Sequence, residues 1–446
     1  MIDLSPETIT IIMFAGVLVG VLSGFPLAPA IAGIALIVGY FTWGGTQVTG
    51  LFYSRMYDLA RSYIILAGPL FIFMGLMLER SGIAERLYDA LYLWLGGFRG
   101  GLAITTVLIG TILAACVGII GASVTMLALV ALPAMIKRGY GKALASGAVC
   151  AGGTLGILIP PSIMLVLYGP MAWISVGKLF MAAFVPGLIL SGLYCSYIAI
   201  HCLLQPEIAP AVPPEERAVP FLKKTIMLFT SLVPPVILVL AVLGSIFAGV
   251  APPTEAAAVG AFATILLAAA YRRLSFTALK DTAFQTLRVI SKVMFVAVCG
   301  FMFTGIFLGL GGGDVVKDLV LASPGGRWGA FVVIMFVIFI LGMFIDWIGI
   351  IFIMVPIISP LAPALGFDEL WFAMMICVNL QMSFMTPPFA YAIFFLRGAA
   401  DPKLGVTTAD IIRGVIPFVI LIMVGLGLLV AFPDLILWLP HQMIKF

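Results

Sequence analysis

The most constraining feature of this sequence is a repeat at an offset of 227 residues. GGTLGILIPP at 152–161 and NLQMSFMTPP at 379–388 each end in a proline pair, and both lie in uncharged, apolar stretches. Proline lacks a backbone donor and clashes with the preceding turn, so each pair interrupts a helix. Internal repeats in an apolar chain are typical of secondary transporters built from two related halves. The repeat therefore predicts transport, with the binding region at the two broken helices.

Composition indicates that lipid surrounds most of this chain. Hydrophobic residues make up 63% of the 446 residues, charged residues only 9%, and the mean hydropathy is +1.24. A soluble domain carries about 25% charged residues. We therefore predict an all-α polytopic membrane protein with about ten spanning helices. The predicted spans are 8–24, 26–43, 62–78, 144–168, 179–204, 225–248, 254–271, 290–310, 369–392 and 411–431.

Two longer stretches, 101–136 and 329–365, are almost free of charge and differ from the simple spans. Each has small or polar residues near its middle, in IIGASVT at 119–125 and in FIDWIGI at 344–350. We interpret both stretches as re-entrant hairpins. The half-helix that follows each tip directs its positive dipole end inward, where it could receive the carboxylate of an anionic substrate.

The charges near the hairpins predict that the two repeats are inverted. Hairpin one is followed by the basic KRGYGK at 137–142, and hairpin two by the acidic ALGFDE at 364–369. With the chain beginning outside, the inner loops hold most of the 23 Lys and Arg residues, as the positive-inside rule requires. The basic residues left on the outer side are Arg55, Arg61, Lys178, Lys317, Arg327 and Lys445.

The repeat and the charge pattern together predict a division into scaffold and transport segments. The predicted segments are 1–78, scaffold helices of repeat one; 79–100, an interfacial arm helix; 101–168, the first hairpin and broken helix; 169–204, the last helix of repeat one; 205–224, a cytoplasmic linker; 225–310, scaffold helices of repeat two with a second arm at 281–292; 311–392, the second hairpin and broken helix; and 393–446, the last helix of repeat two and the C-terminus.

The broken helices are the candidate ion sites. Unwound carbonyls with a few neutral side-chain oxygens suit a weakly held monovalent cation such as sodium. A kink used only for packing is the alternative, and the presence of two breaks at equivalent positions favours the ion site. Asp346 lies at mid-membrane depth, where a carboxylate is costly, and is either a sodium ligand, a proton carrier or a buried acid satisfied by backbone donors. Glu255 is better explained as a helix cap than as an ion ligand.

Enzymatic and ATP-driven functions find no support in the sequence. It contains no HExxH motif, no phosphate-binding Gly-Lys-Ser/Thr loop and no intramembrane His pair. We therefore expect a transporter that is not an enzyme and needs no cofactor other than its coupling ions. No Arg lies in the predicted core to hold a substrate carboxylate.

Four stretches resemble one family, the large membrane subunit of tripartite ATP-independent periplasmic (TRAP) transporters. They are GVAPPTEAAAVGA at 249–261, KRGYGKALASGAVCAGGTLGILIPPSI at 137–163, FIDWIGIIFIMVPIISP at 344–360 and FPDLILWLP at 432–440. The resemblance covers essentially the whole chain. It implies a multi-pass protein of the bacterial inner membrane that works by an elevator mechanism. It also implies sodium-coupled uptake of an organic acid, with a small four-helix membrane subunit as a separate chain and a periplasmic substrate-binding protein.

Carried over by position, the resemblance implies two sodium sites. The first would use Ser123, Gly153, Thr154 and Gly156, and the second Asp346, Asn379, Met382 and Thr386. We expect substrate contacts at Gly121, Ala122, Ser123, Trp347 and Ser383, and helix breaks at Pro160, Pro161, Pro387 and Pro388. Trp347, Ile348 and Gly349 stand where the family commonly has small hydroxylated residues, so hydroxyl ligation from that turn is not expected.

Three alternatives remain open at the level of sequence. The first is a stand-alone ion-coupled symporter for di- or tricarboxylates with the same general fold. The second is coupling to protons instead of sodium. The third is a membrane scaffold protein, which would account for the hydrophobicity but not for the inverted charge or the paired broken helices.

Overall fold

The computed structural model describes residues 4–118, 120–217 and 219–442. Ile119 of the first hairpin tip and Lys445 lie outside the described residues. Within them the chain is helical and contains no strand. The α-helices are α1 (Pro6–Leu22), α2 (Leu27–Thr42), α3 (Gly45–Arg61), α4 (Ala67–Arg80), α5 (Ile83–Leu95), α6 (Gly101–Val117), α7 (Ile120–Lys137), α8 (Lys142–Thr154), α9 (Ile163–Ala172), α10 (Val176–Leu204), α11 (Phe221–Phe247), α12 (Pro253–Ala270), α13 (Phe276–Gly309), α14 (Gly312–Leu321), α15 (Gly326–Phe344), α16 (Trp347–Ile358), α17 (Leu361–Ala364), α18 (Glu369–Ser383), α19 (Tyr391–Ala399), α20 (Thr408–Ala431) and α21 (Asp434–His441). Short 3-10 helices lie at Ile64–Leu66, Leu155–Ile157, Pro206–Ile208, Pro214–Arg217 and Pro402–Leu404.

Seven of the described helices are long and apolar enough to cross a membrane, and the bent pair α3–α4 makes an eighth. The seven are α7, α10, α11, α12, α13, α15 and α20. The sequence predicted about ten spans, and four of them do not meet this criterion. The predicted spans 144–168 and 369–392 are each divided by a break, and α1 and α2 are only 17 and 16 residues long. The other six are present, and the hairpin arms α7 and α15 bring the number to eight.

Both predicted hairpins are helical hairpins in the structure. In hairpin one (α6 and α7), the Leu102 N–H at the start of α6 donates to the Tyr140 hydroxyl just beyond α7, at 3.2 Å. In hairpin two (α15 and α16), the Trp328 ring at the start of α15 lies 5.2 Å from the Phe367 ring, beyond the end of α16. In each case the chain therefore returns to the level at which it entered.

The two predicted helix breaks are also present. Helix α8 ends at Thr154, and α9 begins at Ile163 after a 3-10 turn and the cis Pro160-Pro161 bond. Helix α18 ends at Ser383, and the chain passes through the cis Pro387-Pro388 bond before α19.

Helix packing confirms that the chain consists of two related halves. Helix α1 packs on α2 as α11 packs on α12, and α4 packs on α12 as α13 packs on α2. Helix α5 contacts α11 as α14 contacts α1, and α9 contacts α16 as α19 contacts α7. Exchanging the halves reproduces these four pairs of contacts, as a two-fold axis between the halves requires.

The direction of α8 and α18 along α20 shows that the halves are inverted. The start of α8 lies against Gly414 near one end of α20, where a methyl group built on Gly414 would overlap the Ala143 carbonyl. The start of α18 lies at the other end, because the Trp371 indole N–H donates to the Leu429 carbonyl at 3.0 Å. Gly414 and Leu429 are about 22 Å apart along the helix.

The far ends of α8 and α18 meet between these points. The Gln381 side-chain amide donates to the Thr154 hydroxyl at 3.5 Å, and these residues are 227 positions apart, the offset of the repeat. Because α8 and α18 start at opposite ends of α20 and finish side by side, they run in opposite directions. A residue and its repeat equivalent therefore touch at the two-fold axis.

The scaffold helices break the symmetry. In repeat one, the pair formed by α3 and the 64–80 helix is bent by 60°. In repeat two, the corresponding α13 runs unbroken for 34 residues. The predicted arm at 281–292 is therefore the first half of a longer helix and not a separate element. Helix α3 was not predicted from the sequence.

The contact between α8 and α20 gives a test of this packing. A methyl group at Gly414 would overlap backbone atoms of α8, so Gly414→Ala forces the helices apart, and such overpacking costs about 1–3 kcal/mol. We expect a clearly lower thermal midpoint for the purified protein. Gly427→Ala in the same helix meets nothing within 4 Å and is the control. Equal midpoints for the two variants would contradict the close approach.

Candidate ion and substrate site

Hairpin one lies directly against the break in the α8–α9 segment. A methyl group built on Gly153 would overlap the Val124 side chain, and one built on Gly156 would lie 3.1 Å from the Ser123 hydroxyl oxygen. Glycine is needed at both positions because the hairpin approaches the backbone so closely. The structure therefore brings together Ser123, Gly153 and Gly156, three of the four residues predicted for the first ion site.

The Ser123 hydroxyl is the unusual group at this place. Ser123 is 1% exposed, and its oxygen has no hydrogen-bond partner among the described residues. Most buried side-chain hydroxyls in folded proteins are hydrogen-bonded, so an orphaned one calls for an explanation. An oxygen without a partner beside an unwound backbone fits a ligand for a small cation.

Thr154, the fourth predicted residue, takes part in a different contact. Its hydroxyl donates to the Ala151 carbonyl at 3.0 Å and accepts from Gln381 at 3.5 Å. Gln381 also donates to the Tyr194 hydroxyl at 3.5 Å, and the Gln381 carbonyl oxygen is buried without a partner. Gln381 was not among the predicted site residues, although the 227-residue offset pairs it with Thr154. This polar centre on the two-fold axis lies in an otherwise apolar interior.

Hairpin two is fixed to α18 by side-chain hydrogen bonds. The Asn379 amide donates to the Met335 carbonyl at 2.7 Å, and the Ser383 hydroxyl is within 3.3 Å of the Phe339 carbonyl. The Thr386 hydroxyl donates to the Met382 carbonyl at 2.9 Å. These donors are occupied by backbone carbonyls: Asn379 and Ser383 hold α18 against the hairpin, and Thr386 bonds within the break.

Asp346 begins the second arm of hairpin two. Its carboxylate accepts from the Trp347 N–H at 2.8 Å and thereby caps α16. The side chain is half-buried, and it interacts electrostatically with Lys292 of α13 and with Tyr391 of α19. Among the described residues its carboxylate forms no hydrogen bond with the Asn379, Met382 and Thr386 group.

The predicted substrate contacts are not gathered at one point. A methyl group built on Gly121 would lie 3.0 Å from the Phe395 ring of α19, while Ala122 and Trp347 are half-buried. Ser383 is 0% exposed and packs against Gly342 of hairpin two. The first hairpin tip is thus covered in part by the broken helix of the other repeat, whereas Ser383 packs against the hairpin of its own repeat.

The described residues contain no group of three or more His, Cys, Asp or Glu side chains that could hold a metal ion. The oxygens available near the breaks are instead hydroxyls, amides, backbone carbonyls and the one carboxylate of Asp346. Such donors match the hard, weakly bound monovalent cations better than transition metals.

Comparison with known proteins decides the family. Residues 11–435 match the model of the family described as "Tripartite ATP-independent periplasmic transporter, DctM component". The chain belongs to this family. The three relatives described below are transporter permeases, and the chain is a large permease of this family. It is accordingly a multi-pass protein of the inner membrane.

Three relatives illustrate the range of the similarity. The permease is 31% identical to the C4-dicarboxylate TRAP transporter large permease protein of Pseudomonas aeruginosa, over 87% of this chain and 88% of that one. It is 30% identical to the ectoine/5-hydroxyectoine large permease of Ruegeria pomeroyi, over 96% and 97%. It is 29% identical to the 2,3-diketo-L-gulonate large permease of Escherichia coli, over 98% and 100%.

Among solved structures, the permease is similar in fold to the YdaH transporter of Alcanivorax borkumensis. The match has a TM-score of 0.60 and covers 96% of this chain and 99% of that one. The sequence identity is 13%, so this likeness concerns the fold alone.

The hydrogen bond from Asn379 to hairpin two gives a second test. Asn379→Leu removes the donor to the Met335 carbonyl at nearly constant volume, which costs about 1–3 kcal/mol for a buried group. We expect a lower thermal midpoint of the purified permease. Met374→Leu, buried in the same helix without a polar change, is the control. If both variants melt alike, the amide does not hold the hairpin.

Proposed function

We propose that the permease couples the inward movement of sodium to uptake of a small organic acid. The observation that carries this proposal is the pair of opposed, broken helices, each contacted by a hairpin, with the orphaned Ser123 hydroxyl at one break. Unwound backbone inside an apolar protein is tolerated where it lines a cavity or binds an ion. The inverted arrangement is the one found in transporters that bind near the membrane midplane.

The first ion site consists of Ser123 with the backbone from Gly153 to Gly156. The two glycines let the hairpin approach the broken helix closely, which brings the Ser123 hydroxyl next to Gly156 of the 3-10 turn. The second ion site is centred on Asp346. Here the carboxylate that caps α16 supplies the anionic oxygen for the cation.

Substrate binding is proposed at the hairpin tips, and movement by an elevator mechanism. The hairpins and broken helices then move together against α1–α5 and α11–α14. The three relatives are described as permeases for C4-dicarboxylates, ectoines and 2,3-diketo-L-gulonate. The sequence identity of this chain to each of them is nearly the same. These support an organic acid as the substrate class without selecting one member.

We further propose that the permease works with a separate small membrane subunit and a periplasmic substrate-binding protein. The support is membership of a family whose description names a tripartite, periplasmic transporter. Uptake into proteoliposomes that contain the permease alone would favour a stand-alone symporter instead.

The ion sites are tested by sodium-dependent uptake in proteoliposomes with both partners present. Asp346→Asn keeps the shape of the side chain but removes its charge. Loss of a charged ligand corresponds to roughly 1.5–3 kcal/mol, so we expect half-maximal uptake to need at least about tenfold more sodium. Ser123→Ala is expected to raise the sodium requirement by a smaller factor.

The matched control is Asp318→Asn, because Asp318 is an exposed carboxylate on α14 and belongs to neither ion site. Its sodium dependence should equal that of the unchanged permease. An Asp346→Asn variant with normal sodium dependence would remove this residue from the ion site. Uptake driven equally well by a proton gradient without sodium would overturn sodium coupling.

A further inference from the structure

A cavity separate from the hairpin tips lies between the scaffold and hairpin two. Its volume is about 390 Å³, which is large enough for a small metabolite. It is bounded by the ends of α9, α16 and α18, by the C-terminal end of α13, and by Arg55 of α3. These are the ends farthest from the helix breaks, on the side where hairpin two opens.

Two buried polar atoms on the cavity wall, Arg55 Nε and the Ser359 hydroxyl, have no hydrogen-bond partner among the described residues. The fully buried Tyr168 hydroxyl lies next to the Ser359 side chain and does not line the cavity. Unsatisfied polar groups are rare in folded proteins, so two on one cavity wall indicate that something polar binds there.

The Arg55 guanidinium is the positively charged group on the cavity wall. Arg55 Nε lies against Gly305 of α13, only 3.4 Å from a methyl group built there, and Arg55 forms no ion pair with the described residues. A half-buried guanidinium presents a fixed fork of N–H donors that matches a carboxylate. The cavity therefore has a cationic end that is suited to a carboxylate ligand.

The opposite charge lies on the same cavity. Glu369, at the start of α18, is exposed and also lines the cavity. It forms no ion pair with Arg55, so its carboxylate lies farther than 4 Å from the Arg55 side-chain nitrogens. A second carboxylate on the ligand would be repelled by Glu369. An ammonium or hydroxyl group would instead be hydrogen-bonded by it.

Trp173 marks the mouth of this cavity. Its side chain is 96% exposed, and its backbone has φ of 59°, a left-handed conformation that is costly for a bulky residue. Trp173, Ile174 and Glu369 also line a neighbouring cavity of about 320 Å³, which contains Lys178. Trp173 thus stands between two neighbouring cavities, where its ring can cover a ligand.

We propose that this cavity is a second binding site, an entrance subsite for a carboxylate whose other end donates hydrogen bonds. Arg55 binds the carboxylate, Ser359 supplies a hydroxyl, and Glu369 selects an ammonium or hydroxyl group over a second carboxylate. The inference rests on the proposed transport of an organic acid and narrows its class. The subsite shares no residue with the two ion sites.

The test is equilibrium binding of radiolabelled probes to the purified full-length permease. The probes are gluconate, 4-aminobutyrate and succinate, which present hydroxyls, an ammonium and a second carboxylate respectively. We expect the first two to bind more tightly than succinate. Arg55→Gln should weaken their binding about tenfold or more, whereas Arg55→Lys should retain part of it. Glu369→Gln should raise the affinity for succinate.

Arg61→Gln is the matched control, since Arg61 lies on the same helix but stacks over Tyr57 outside the cavity. Ser359→Ala provides a second variant that keeps every charge, and we expect it to weaken binding several-fold. Unchanged probe binding in Arg55→Gln, or succinate as the tightest probe, would overturn the subsite.

The binding assay is repeated with Asp346→Asn to separate this inference from the proposed function. Binding that survives in this variant while sodium-dependent uptake is lost supports two separate sites. Normal probe binding by a permease that shows no sodium-dependent uptake would contradict the proposed function and leave the subsite standing. Loss of probe binding in folded Asp346→Asn would place the ligand at the hairpin tip instead.

Discussion

The fold depends on one constraint, which is that every backbone polar group inside an apolar protein must find a partner. Two helices are broken in the interior, and each break frees carbonyls and N–H groups. Local side chains and the hairpins satisfy several of them. The Ser162 hydroxyl donates to the Ile157 carbonyl at the first break, and the Phe389 N–H donates to the Met343 carbonyl of hairpin two at the second. The first break is therefore satisfied in part by its own Ser162 side chain, and the second in part by its hairpin.

Because the two repeats are inverted, their broken helices meet at one centre. The two halves of this centre differ in their side chains. Thr154 and Gln381 are repeat equivalents that meet on the axis, and they differ in size and in hydrogen-bonding capacity. At the tips, Ser123 has a buried hydroxyl without a partner, whereas Asp346 caps α16 and lies within the influence of Lys292. A neutral oxygen and a carboxylate hold a cation with different strength. The proposed ion sites should therefore differ in affinity, although their backbones correspond.

Much of the fold was predictable because it follows from residues with strong local effects. Proline pairs break helices wherever they occur, long uncharged stretches with a polar middle form hairpins, and opposite charge at the equivalent turns 137–142 and 364–369 indicates inversion. The bend between α3 and α4 was not predictable, because the corresponding α13 shows that a similar position can run straight. The second ion site was predicted only as a group of residues. Its side chains point in directions that are set by packing, with Asn379 bonded to Met335 rather than to the Asp346 carboxylate.

The sequence by itself determined the duplication, the two breaks and the family, because periodic apolar stretches, prolines and charges act locally. Only the tertiary structure decided which distant residues share a cavity. Arg55 reads as a loop residue outside the core, and the sequence gives no reason to associate it with Ser359 or Glu369, some 300 positions away. The structure brings them together because α3 folds back against α13 and the ends of α16 and α18 face the same space. The interaction between such charged groups depends on their distance in the folded protein, and a local sequence pattern carries no information about that distance.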